Sequence, residues 1–121
     1  LDSLPCQTLI GSSGSFDTLF NVAACREGRP ELPIGTSSAT FALKGLPDVL
    51  ESLVISNRME RLLMPGMLEM RADTLHISAL QIQLLFEHLT CKSMLLSGFA
   101  LKEGVWSSLQ EPQCPWRASW L

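Results

Sequence analysis

The run Leu9-Ile10-Gly11-Ser12-Ser13-Gly14-Ser15-Phe16-Asp17-Thr18-Leu19 sets an apolar strand end, a small-residue turn and the start of an amphipathic helix in direct succession. That junction commits the chain to a strand running straight into a helix, the repeating step of α/β proteins. At such a turn backbone N–H groups stand free, and a phosphate or another anion can approach without meeting a bulky side chain. Gly11, Ser12, Ser13, Gly14 and Ser15 are therefore candidate anion ligands. The plainer account is that Gly and Ser only make the bend and cap the helix, with Ser15 as N-cap. Two sharper templates fail. A P-loop needs Gly-Lys-Ser/Thr after its spacer and no Lys follows here, while a nucleophile elbow needs Gly-x-Ser-x-Gly and position 15 is Ser.

At 121 residues, 46% hydrophobic and 17% charged, the chain is long and apolar enough for one modest domain with a buried core. A net charge of -3, with both signs interspersed, gives no electrostatic footprint for duplex nucleic acid or an anionic membrane. No apolar run reaches bilayer length and the N-terminus lacks a signal-peptide pattern, so a cytoplasmic location is expected. Cys6, Cys25, Cys91 and Cys114 form no Cys-x-x-Cys pair, and the first three read as reduced thiols packed as small hydrophobes. His76 and His88 lie about three turns apart on one expected helix, too far to share a metal. The chain opens Leu1-Asp2-Ser3-Leu4-Pro5, which reads as the continuation of another segment.

Hydrophobic periodicity predicts a strand over Gln7 to Gly11, a helix over Ser15 to Arg26, a half-buried strand over Ser37 to Leu43 and a helix from Pro47 to Ser56-Asn57. A short helix follows at Met59 to Leu63 and Pro65-Gly66 stops it. A long stripe from Met70 to Leu89 predicts the most buried element. Lys92 to Ser97 reads as a last strand, followed by a final short helix and, over 107–121, an irregular tail with two Pro and two Trp. Strands separated by helices predict an α/β fold with a small, mainly parallel or mixed sheet and flanking helices. About three strands are few for a complete sheet of this kind.

Four segments together resemble the exopolyphosphatase and guanosine pentaphosphate phosphohydrolase (Ppx/GppA) family of the actin-like, or RNase H-like, ATPase superfamily. Leu9 to Phe16 looks like that family's Gly-rich turn in the second lobe. Asn57-Arg58-Met59-Glu60-Arg61-Leu62-Leu63-Met64-Pro65-Gly66-Met67 looks like its Arg-containing segment ending in Pro-Gly-Met/Leu. Arg71-Ala72-Asp73 matches the Arg-Ala-Asp opening the long second-lobe helix, and Leu101-Lys102-Glu103-Gly104-Val105 resembles the Leu-Arg/Lys-Glu-Gly that follows the last strand. The resemblance covers Pro5 to Val105.

It implies one lobe, spanning 1–106, of a protein whose two lobes close over polyphosphate or guanosine pentaphosphate, with magnesium assisting attack of water. No segment here resembles the family's Asp-Leu-Gly-Ser-Asn-Ser loop, its Asp-Ile-Gly-Gly-Gly-Ser loop or the stretch carrying its catalytic Glu. The resemblance thus implies a C-terminal lobe without the catalytic lobe, with no catalytic residue and no metal of its own. Arg61 and Arg71 are expected to join the turn as phosphate ligands, a guanidinium being suited to bidentate contact. The ordinary account of Arg71 and Asp73 is a surface pair with Glu69 and a favourable charge at a helix start. The alternative function is a non-enzymatic α/β module that associates, as a homo-oligomer, through an unfinished sheet.

Overall fold

Strand β1, Thr8–Ser12, runs through a single residue into helix α1, Gly14–Arg26. The computed structural model describes residues 5–110. A loop leads to β2, Ser38–Thr40, and then to α2, Leu46–Ile55, which carries Pro47 in its first turn, where a missing N–H costs nothing. Helix α3, Arg58–Leu62, starts from a full capping box: the Asn57 side chain accepts from Glu60 N–H at 2.9 Å, and the Glu60 carboxylate accepts from Asn57 N–H at 2.8 Å. A 3-10 turn, Glu69–Arg71, precedes α4, Leu75–His88. Strand β3, Ser93–Ser97, and helix α5, Leu101–Gln110, complete the order. Helix α5 includes positions 107–110, where an irregular tail was expected; the remainder of that tail lies outside the described residues.

The sheet order is β1-β3-β2. Strands β1 and β3 pair in parallel, Thr8 with Ser93 through Ser12 with Ser97, whereas β2 pairs antiparallel to β3, Ala39 with Leu96. The sheet is thus mixed. Met94 and Leu96 of β3 are buried beneath the helices. On the opposite face, Thr8, Ile10, Ser38 and Thr40 are exposed, as strand alternation requires.

The expectation that the Met70 to Leu89 segment is the most buried element fails on two counts. The helix begins only at Leu75, after the 3-10 turn, and only Leu75, Ala79 and Ile82 of it are buried. Helix α1 buries Thr18, Leu19, Phe20, Val22, Ala23 and Ala24. The difference is positional: α1 packs against the sheet, α2 and α4, whereas α4 turns Ile77, Leu80 and Leu84 to solvent. The core joins α1, α2, α4 and β3, and Phe20 meets Phe41 edge to face with ring centroids 5.1 Å apart.

Candidate functional site

Three devices bring one arginine to the start of α1. Gly66, at φ +85, follows Pro65 in a turn that sits so close to α1 that an added Cβ would lie 2.6 Å from the Asn21 carbonyl carbon. Only glycine both adopts that φ and permits the approach. Arg61 is 6% exposed; its Nε donates to the Ala72 carbonyl at 2.6 Å and its Nη1 donates to the Ser56 carbonyl. The 3-10 turn Glu69–Arg71 closes with Arg71 N–H donating to the Leu68 carbonyl at 2.9 Å. From mid-α1 at Asn21 to its start at Gly14 is about 10 Å of helix, and the segment after Gly66 covers it by Arg71.

The Arg71 guanidinium lies across Gly14. A Cβ built on Gly14 would stand 2.4 Å from Arg71 Nη2 and 3.2 Å from its Nε. Arg71 Nε is buried and has no hydrogen-bond partner; the only other such atom among the described residues is His76 Nδ1. The surface pairing expected with Glu69 is absent among the described ion pairs. Asp73 pairs instead with Arg58, Nε to Oδ1 at 2.7 Å, both half exposed or more, an arrangement that contributes little stability. The sequence expectation named Arg61 and Arg71 as phosphate ligands, should the fold bring either to the turn. The structure separates their roles: Arg61 is buried and engaged with backbone carbonyls, and it holds the residue next to Arg71.

The turn itself is not uniform. Gly11 is buried, and the Phe16 ring occupies the space above it, since a Cβ there would fall 1.9 Å from Phe16 Cδ1. Ser12, Gly14 and Ser15 are half-buried, and Ser13 is exposed. Ser13, not Ser15, occupies the N-cap position, with φ 73 and ψ 176 and no side-chain cap. Such a backbone conformation is close to glycine-only and costs about 1–3 kcal/mol. Phe16 and Asp17 N–H both turn back on the Ser13 carbonyl, at 3.0 and 3.2 Å. The Gly14 and Ser15 N–H groups are left at the mouth of the helix, which has no carbonyls ahead of it. Backbone N–H groups, hydroxyls and a guanidinium without a partner form a donor set for an anion, reinforced by the positive end of α1.

No described group of three or more His, Cys, Asp or Glu side chains is placed to hold a metal ion. Two cavities lie elsewhere, one of about 460 Å³ between α2 and α4 and one of about 700 Å³ along α5, and neither is lined by the turn or Arg71.

A small mixed sheet carrying helices in this order is one lobe of the actin-like α/β fold. No family model matches the chain, and no curated protein does. Among solved structures, an exopolyphosphatase from Cytophaga hutchinsonii is similar over 89% of this chain, with a TM-score of 0.76 and 29% sequence identity. In fold, the chain is similar to one lobe of that exopolyphosphatase. It spans 35% of the length of that exopolyphosphatase. No helix among the described residues is long and apolar enough to cross a membrane.

Proposed function

We propose that this chain is the second lobe of an exopolyphosphatase-like phosphohydrolase, and that the turn from Ser12 to Ser15, built on Gly11, binds phosphate groups of polyphosphate or guanosine pentaphosphate with Arg71. The observation that carries this reading is the Arg71 guanidinium, laid over Gly14 at the start of α1 with its buried Nε unpaired. Transfer of a terminal phosphoryl group to water requires charge neutralisation, an in-line water and a metal held by carboxylates. This site offers the first of these. The magnesium that the resemblance implies does not fit the groups present, which are N–H, hydroxyl and guanidinium donors rather than oxygen anions. The lobe's own contribution is to grip and orient an anion.

Titration of inorganic tripolyphosphate into the purified chain, followed by calorimetry, tests this. Arg71→Ala is expected to weaken binding by about 10–100-fold, the worth of a charge-assisted contact, and the chain with magnesium is expected to release no phosphate from polyphosphate. Equal affinity of Arg71→Ala and the parent, or steady phosphate release, overturns the reading.

A second reading, association through the sheet, rests on β1 lying at the sheet edge with Ile10 63% exposed. Light scattering that finds a monomer at every concentration rejects it.

A further inference from the structure

The end of the β1–β3 pair remote from the turn carries two cysteines that the phosphate site does not use. The Sγ atoms of Cys6 and Cys91 are 3.3 Å apart. Their meeting follows from the sheet. Parallel pairing of Thr8 with Ser93, continued two residues back, sets position 6 against position 91. The pairing does continue, since Lys92 and Ser93 N–H both donate to the Gln7 carbonyl, at 2.7 and 3.2 Å. Both cysteines are free thiols, neither is fully buried, and Cys91 also opens onto the groove beside Leu46 and Phe86. A disulfide needs sulfurs about 2.05 Å apart, a closure that small side-chain rotations at the strand ends supply.

We propose that Cys6 and Cys91 are a reversible dithiol–disulfide site, oxidised by small disulfides, that fastens β1 to β3. The Cys6 sulfur, as thiolate, attacks one sulfur of an oxidant such as glutathione disulfide; a mixed S–S bond forms and one glutathione thiolate leaves. The Cys91 thiol then loses its proton and attacks the Cys6 sulfur, expelling the second glutathione. Two protein thiols are oxidised and one small disulfide is reduced to two thiols. The order follows from Cys91, whose thiol is pushed up by burial and then by the hydrogen bond and charge of Cys6, so that it holds its proton longer. The bond links positions 85 residues apart, constrains the unfolded chain accordingly, and holds the strand whose other end carries the anion turn. Cys25 is an internal control, with its Sγ 3.7 Å from the Glu31 carboxylate instead of another sulfur.

The test is incubation of the full chain with glutathione disulfide, alkylation of remaining thiols in denaturant, and peptide mass mapping. One cross-linked peptide pair containing Cys6 and Cys91 is expected, with Cys25 alkylated, reversal by dithiothreitol, and a thermal midpoint several degrees higher when oxidised. Cys91→Ser is expected to abolish the cross-link and leave a glutathione adduct on Cys6. Separate adducts on Cys6 and Cys91 without the cross-link, or Cys6 pairing equally with Cys25 or Cys114, overturns the proposal.

Discussion

Two strand-to-helix junctions sit side by side at one end of the sheet, and they are closed in opposite ways. Strands β1 and β3 are parallel neighbours with Ser12 opposite Ser97, so β1 enters α1 and β3 enters α5 at the same edge of the molecule. At α5 the Glu103 carboxylate reaches back to accept Ala100 N–H at 2.8 Å, and the Ser97 hydroxyl accepts Phe99 N–H at 3.2 Å. That helix start carries its own side-chain cap. At α1 no side chain caps the helix, Ser13 is held at φ 73, and the nearest cation is Arg71. Burial differs in the same sense, for α1 carries six buried residues, whereas α5 has none and exposes Leu101, Val105 and Trp106. One helix is held by the core and has no side-chain cap at its mouth; the other buries nothing and is capped by its own carboxylate.

The largest expected effect tests the claim that packing, rather than a cap, fixes α1. Gly11→Ala forces a methyl into the Phe16 ring, which is partly buried and packed against the core. Overpacking of this kind costs about 1–3 kcal/mol, read as a lowered urea midpoint at unchanged slope. Gly104 of α5 meets nothing within 4 Å, so alanine there is expected to stabilise its helix by up to about 1 kcal/mol. If the two substitutions act alike, the contrast between the junctions is wrong.

Gly14→Ala comes next, because it separates binding from folding. The clashing atoms belong to the free end of Arg71, which can swing aside, and alanine suits a helix better than glycine. Tripolyphosphate affinity is expected to fall about tenfold, equivalent to about 1.4 kcal/mol, with the unfolding midpoint unchanged or raised. Loss of stability in step with affinity would show that Arg71 holds the fold together instead of waiting for an anion.

Much of this contrast was legible in the sequence where the information is local. The strand expected at Gln7 to Gly11 lies at Thr8–Ser12, and the helix expected from Ser15 starts at Gly14. Ala72, Leu75, Ala79 and Ile82 keep a helical spacing, which hid the 3-10 turn before α4. That turn is what leaves Arg71 outside the long helix and beside Gly14. The apolar stripe of α4 overstated its burial because one side faces solvent, a fact set by which neighbours the fold supplies. The antiparallel direction of β2 depends on the path of a loop, and the meeting of Cys6 with Cys91 depends on register across 85 residues. Neither has a local signature. Glu103 did have one, three residues after its partner, but the partner is Ala100 and so lacks the hydroxyl that marks a capping box.

The smallest effect concerns that carboxylate. Glu103 is held below the usual glutamate range, first by the Ala100 N–H, with its own N–H and Lys102 adding to this against desolvation. A depressed folded value means the ionised form is favoured by folding, so its support of α5 is complete above the ordinary glutamate range. That support is lost as pH falls through the depressed value. Amide protection factors at the α5 start, compared with those at the α1 start, are expected to fall on acidification, and Glu103→Gln is expected to flatten the response. An α1 start that frays in parallel would mean that both junctions depend on a carboxylate, and the open mouth of α1 would then be closed by a group of the chain itself.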